Sequence, residues 1–215
     1  MSRPSAFSPP TTHLTVRFAS ATIDTTVTRD AAAADAWVRS VRASAMLSGR
    51  PLIVGLDCEW KPNRSPWTTS KVAILQLCAG TRCLVFQLFY ATSIPASLRS
   101  FLSDPAVRFV GVGVGEDVAK LDADYGLACA APVDLEGLCD EYLGGRVGGR
   151  RRGLKGFARE VLDMVMEKPY HVTMSNWEKH DLDAAQIQYA CIDAYVSYKL
   201  GEKINSASKT TEIDT

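Results

Sequence analysis

Neither sign of charge is in excess: 24 Lys and Arg balance 24 Asp and Glu. That excludes a broadly basic surface able to hold nucleic acid by charge alone. Any such contact has to be local, or made through cations on phosphates. No apolar run approaches the ~18 residues that span a bilayer, and no secretory leader pattern stands at the start. No C-x-x-C pair occurs among the six cysteines, so neither a zinc framework nor a disulfide scaffold is expected. Cys58, Cys78, Cys83, Cys129, Cys139 and Cys191 mostly sit in apolar runs, where a free thiol acts as a small hydrophobe. The expectation is a reducing intracellular setting, nucleus or cytoplasm. Residues 1–23 lack Asp and Glu, and a frayed polar terminus is the preferred reading over a transit peptide.

What is present suffices for one domain. A chain of 215 residues can bury a core without disulfides. The expected organisation is a disordered stretch over 1–12, a single domain over 13–205 with its core at 51–204, and a flexible tail over 206–215.

Residues 14–19 and 22–27 read as a β-hairpin, and 29–45 as a helix. The runs 52–60, 72–79 and 83–89 read as a three-stranded meander. Then come a helix at 94–102, a strand at 108–114, a helix at 116–125 and a short strand at 131–133. Asp134 reads as the N-cap of the next helix. Residues 144–153 read as a flexible basic loop, 154–162 as a helix and 163–181 as irregular. A long last helix is expected from near Asp183 to about Ile204, opened by the capping box of Asp183 and Gln186. Consecutive strands followed by alternating strands and helices predict an α/β fold, with a mixed central sheet flanked by helices.

Three acidic features stand out. Side chains alternate along a strand, so Asp57 and Glu59 share one face while Leu56, Cys58 and Trp60 share the other. Crowded carboxylates repel, and a cation is the common remedy. Oxygen donors favour Mg²⁺ or Mn²⁺. A lone D-x-E more often marks a strand reaching solvent. In the last helix, Tyr189 and Asp193 are four residues apart and share a face. They are expected to flank a packing stripe of Ile187, Ala190 or Cys191, Ala194 and Leu200; alone, the pair reads as a surface hydrogen bond. Asp117 falls in the first turn of a helix entered through a glycine-laced strand, where an acid also suits the helix dipole.

Taken together and in this order, the three features resemble the DEDDy 3′-5′ exonuclease superfamily. The stretches Val54–Trp60, Ala73–Leu77, Phe109–Gly113, Gly153–Gly156, Met174–Trp177 and Gln188–Ala194 are closer still to the Werner-syndrome-type exonuclease domain. Small plant members without a helicase look most similar. The resemblance covers residues 51–204.

It implies a ribonuclease-H-like fold and 3′-5′ exonuclease activity, with release of nucleoside 5′-monophosphates. It implies two Mg²⁺ or Mn²⁺ ions, with Asp57 bridging both, Glu59 and Asp193 sharing one, and Asp117 completing the set. Tyr189 would orient the attacking water. Implied partners are single-stranded nucleic acid or recessed 3′ ends, and beyond these a second copy of the chain, a helicase or an RNA-silencing protein; no membrane is expected. Arg150, Arg151, Arg152, Lys155 and Trp177 are candidate nucleic-acid contacts, although packing is the better reading for Trp177.

Rival readings carry less. Gly111 and Gly113 make a G-x-G with Asp134 about 20 residues on, as a dinucleotide fold wants, but the third position is Glu116. A scaffold that keeps the fold without turnover would be expected to lose an acid, and all four are present.

Overall fold

The computed structural model describes residues 11–63, 65, 67, 69–145 and 151–213, with side chains through 207. One mixed seven-stranded sheet forms its centre, in the order β1-β2-β5-β4-β3-β6-β7. The strands are β1 (Thr11–Phe18), β2 (Ala21–Thr28), β3 (Leu52–Trp60), β4 (Val72–Ala79), β5 (Arg82–Phe86), β6 (Val107–Gly111) and β7 (Pro132–Asp134). The helices are α1 (Ala31–Ser48), α2 (Ala96–Leu102), α3 (Val114–Tyr125), α4 (Leu135–Tyr142), α5 (Gly153–Leu162), α6 (Tyr170–Thr173) and α7 (Ala184–Ile213).

The hairpin β1–β2 turns at Ala19, whose φ of 49° lies in the left-handed region. The expected meander is present: β3 pairs antiparallel with β4, and β4 with β5. The hairpin is not separate from it, because β2 runs parallel to β5 and extends the sheet. On the other side β3 runs parallel to β6, and β6 to β7.

Several boundaries differ from those expected. Thr11 and Thr12 already belong to β1. The 83–89 run stops being strand at Phe86, and a single 3₁₀ turn follows at Leu88–Tyr90. The irregular stretch 163–181 contains the short α6. The last helix continues to Ile213 rather than ending near Ile204.

Alternation along the strands divides the core in two. Ile53, Ile74, Cys78, Cys83 and Val85 face α7, with Phe157 of α5 in the same cluster. Val54, Leu56, Leu75, Leu77 and Phe109 pack against Trp37, Val38 and Phe101 of α1 and α2. The stretch of α7 from Tyr189 to Ser197 is buried on every side. The expected one-sided stripe is therefore a correction: α7 crosses the middle of the sheet, with α4 and α5 against it, and a helix enclosed this way has no solvent face to mark with polar residues. Ile187, placed in that stripe, is only half-buried.

Candidate metal centre

Gly55 decides how the site is assembled. A Cβ built there would lie 1.9 Å from the Ala194 carbonyl oxygen and 2.6 Å from the Tyr198 nitrogen. Only a residue without a side chain lets the α7 backbone rest directly on β3. Two residues along the same face of β3 comes Asp57, and next to Ala194 comes Asp193. The close crossing brings the two carboxylates together.

Oxygen atoms of Asp57, Glu59 and Asp193 all lie within 4.8 Å of one another. Asp57 and Glu59 are half-buried, and Asp193 is 1% exposed. A bulge between Glu59 and Trp60 interrupts the ladder immediately after the acidic pair, as bulges near sites often do. Helix α3 takes up the groups of Val72 beside it: Asp124 accepts from the Val72 nitrogen at 2.8 Å, and the Tyr125 hydroxyl donates to the Val72 carbonyl at 2.6 Å.

Electrostatically the cluster is strained. Burial, and then Asp193, pushes the Asp57 carboxyl up to about 7. Burial, Asp57 and Asp193 push Glu59 up to about 10. Asp193 is raised by burial, against the pull of Lys168. The Lys168 ammonium lies 2.5 Å from Asp193 Oδ2, and the Lys168 and Tyr189 side chains draw that carboxyl down against its burial. Three crowded oxygen donors short of positive charge fit a hard divalent cation.

Asp117 stands beside this trio rather than in it. It is 7% exposed in the first turn of α3. Burial and then Asp57 push its carboxyl up to about 9, so it feels the cluster electrostatically. The glycines ahead of it serve geometry. A Cβ on Gly111 would meet the Leu56 carbonyl at 2.7 Å, and Gly113 has φ 77° with its nitrogen donating to Asp134 at 3.2 Å. Asp134, which the dinucleotide reading wanted for a ribose, also accepts from the Glu136 nitrogen as the N-cap of α4.

Tyr189 lies one helical turn before Asp193 and is 6% exposed. Its ring is 5.8 Å from that of Trp177, and the Lys168 ammonium sits 5.0 Å above its face. Burial, then Asp193, pushes its phenol up, so it stays protonated across the physiological range. The capping box forms as expected, with Asp183 and Gln186 exchanging bonds of 3.0 and 3.2 Å. Gln186 also donates to Ser175 Oγ at 2.8 Å and to the Asn176 carbonyl at 3.2 Å. The Met174–Trp177 stretch is thereby clasped to the start of α7.

The candidate nucleic-acid contacts fare differently. Trp177 is 1% exposed and spends its Nε1 on the Thr173 carbonyl, so no ring face is left for a base. Arg151 holds Glu136 through two bonds of 2.9 and 2.7 Å. Arg152 bridges Asp140 at 2.6 Å and Glu160 at 2.7 Å, with its side chain 12% exposed. Arg152 is corrected from a free basic loop to an anchor, because acidic positions on α4 and α5 lie within its reach, whereas the Arg151 side chain stays 76% exposed. Arg150 falls outside the described residues. Lys155 is exposed and pairs loosely with Glu167 at 3.4 Å.

Two residues at the site escaped the sequence reading. Lys168 comes from the irregular 163–169 connector, where nothing in one sequence signals a destination. Gln76 pairs directly with Asp57 across the ladder and is fully buried, with both amide atoms unpartnered among the described residues. Its signal was available: it is the one polar residue in an otherwise apolar strand, 72–79.

Comparison with known proteins agrees with this geometry. A sequence model described as 3′-5′ exonuclease matches residues 25–208. A 3′-5′ exonuclease of Arabidopsis thaliana is 35% identical over 149 residues, covering 68% of this chain and 50% of that protein. The bifunctional 3′-5′ exonuclease/ATP-dependent helicase WRN of Mus musculus is 28% identical over 162 residues, covering 75% of this chain and 11% of that one. Brucella melitensis NrnC, at 20% identity, superposes with a TM-score of 0.62 over 74% of this chain and 75% of its own; that likeness speaks for the ribonuclease-H-like fold alone. The chain thus spans half or less of the length of these two curated relatives, and over the part it shares with them it belongs to the 3′-5′ exonuclease family.

Proposed function

We propose that this chain hydrolyses the phosphodiester bonds of nucleic acid from the 3′ end, in a reaction that depends on divalent metal and releases nucleoside 5′-monophosphates. One observation carries the reading: carboxylates from β3 and α7, distant in sequence, meet half-buried or buried with oxygens within 4.8 Å. Asp57, Glu59 and Asp193 would hold Mg²⁺ or Mn²⁺, with Asp117 serving a second ion from the side. Two such ions, when bound, supply water activation and neutralise charge developing on the phosphate.

The protein's own groups do the rest. Asp57, Glu59 and Asp193 have to give up the protons that burial favours, so loading is coupled to proton release. Tyr189, protonated and one turn from Asp193, can hold a water in line with a phosphate by hydrogen bonding. Its ring is fixed by Trp177, so the phenol is pre-oriented. Net neutrality and the commitment of Arg152 to two carboxylates argue against gripping a long duplex by charge. Single-stranded or recessed 3′ ends, contacted locally near Lys155 and through the cations, fit better.

The test uses 5′-labelled single-stranded RNA, single-stranded DNA and recessed duplex with Mg²⁺, with Mn²⁺ and with a chelator. A ladder shortening from the 3′ end only with metal, and absent in Asp57→Ala, is the expected result. The preferred strand then identifies the substrate class. Folded protein that leaves every substrate intact would favour a scaffold that retains the acids.

A further inference from the structure

Among the described residues, Lys168 is the cation paired with the acidic trio. Its ammonium is 2.5 Å from Asp193 Oδ2 and 5.0 Å above the Tyr189 ring. The side chain is 29% exposed, so one flank of it looks out of the protein. Its charge is also felt by Asp57, Glu59 and Asp117. The segment that delivers it is built to fix the backbone. Asp163 closes α5 in a left-handed conformation, the Met164 nitrogen donates to the Ala158 carbonyl at 2.9 Å, Met166 is 1% exposed, and Pro169 starts α6. Between Met166 and Pro169, Lys168 carries its ammonium on a flexible four-carbon stem whose side chain is 29% exposed.

We infer that Lys168 is a positioning residue that acts as an internal counter-cation: it holds Asp193 in the trio and yields that carboxylate to a divalent cation. An ammonium already seated on Oδ2 and a metal ligated by the same carboxylate are like charges in one small space. They exclude each other, and Lys168 rotates outward when the metal binds. The device serves two ends. It keeps the acids together when no metal is bound, where bare repulsion would spread them. It also lowers the affinity for free cations, so metal is held best when a phosphate of the substrate adds its own negative charge. This inference rests on the metal-centre reading proposed above.

The experiment reads binding and not turnover. Mn²⁺ affinity of the folded protein is measured at pH 8 by electron paramagnetic resonance, in the wild type and in Lys168→Met, with melting temperatures in chelator and in Mn²⁺. Lys168→Met should bind Mn²⁺ at least about tenfold more tightly, melt lower than wild type in chelator, and gain more from added Mn²⁺. Equal affinity and equal gain in the two proteins would overturn the inference while leaving the metal centre standing. No Mn²⁺ binding by either protein would overturn the metal centre and the inference with it. Should Lys168→Met not fold, the wild type answers by amine footprinting. The Lys168 ε-amine should acylate several-fold faster in Mn²⁺ than in chelator, and an unchanged rate would refute the exchange.

Discussion

At the residue scale, Tyr189 separates chemistry from packing most cleanly. Its ring is part of the core beside Trp177, while its phenol faces the acids. Tyr189→Phe keeps the ring and removes only the hydroxyl. Turnover should drop on the order of a hundredfold, the size expected of a positioned proton-handling group, with Mn²⁺ affinity within about twofold of wild type. Single-turnover hydrolysis alongside metal titration checks both, and a wild-type rate would make the tyrosine purely structural. Much of the site was readable at this scale because two periodicities carry it. Period two put Asp57 and Glu59 on one face of β3, and the four-residue helical repeat put Tyr189 above Asp193. Lys168 obeys neither period and arrives on a connector, so it was invisible. Packing, the better reading for Trp177, holds, whereas Arg152 looked like a ligand for nucleic acid because a sequence does not show that two carboxylates already claim it.

At the scale of elements, the crossing of α7 over β3 is the critical feature, and Gly55 sets its distance. Gly55→Ala would place a methyl carbon 1.9 Å from a backbone oxygen. Neither backbone can yield without moving the helix that carries Asp193. We expect a loss of about 3 kcal/mol or more and no measurable hydrolysis, checked by urea unfolding and by the same ladder assay. A variant as stable as wild type would mean that α7 does not rest on β3 as described. Gly201, farther along α7, makes a softer version of the same contact, since its Cβ would meet the Val110 and Ile53 side chains at 2.8 and 3.2 Å. The strands and most helices followed from alternation and capping. What did not follow was long-range: the parallel pairing of β2 with β5 joins residues far apart in sequence, and the burial of the 189–197 stretch of α7 on all sides removes the amphipathic signal that marks a helix face.

At the scale of the whole molecule, the acidic cluster makes stability depend on pH in an unusual direction. Asp57 and Asp117 have folded-state pKa values raised to about 7 and about 9, above the ~4 of an unfolded chain. Between those limits the folded protein binds more protons than the unfolded one. Stability without metal is therefore present at low pH and lost as pH rises, from about 4 through about 7 for Asp57 and on toward 9 for Asp117. Lys168, raised above its ordinary value, stays charged through this window and adds no slope. In chelator the melting temperature should fall from pH 5 to pH 8, and the stabilisation by Mn²⁺ should grow over the same range. Melting curves at four pH values decide it; a chelator curve that rises with pH would mean that the acids are not held together as described.

If the three carboxylates brought together by β3 and α7 form a metal centre, crystals grown with Mn²⁺ will show it by anomalous diffraction. A peak is expected among the oxygens of Asp57, Glu59 and Asp193, with a second nearer Asp117, and both lost in Asp57→Asn. Well-ordered crystals with no anomalous peak at this cluster would contradict it.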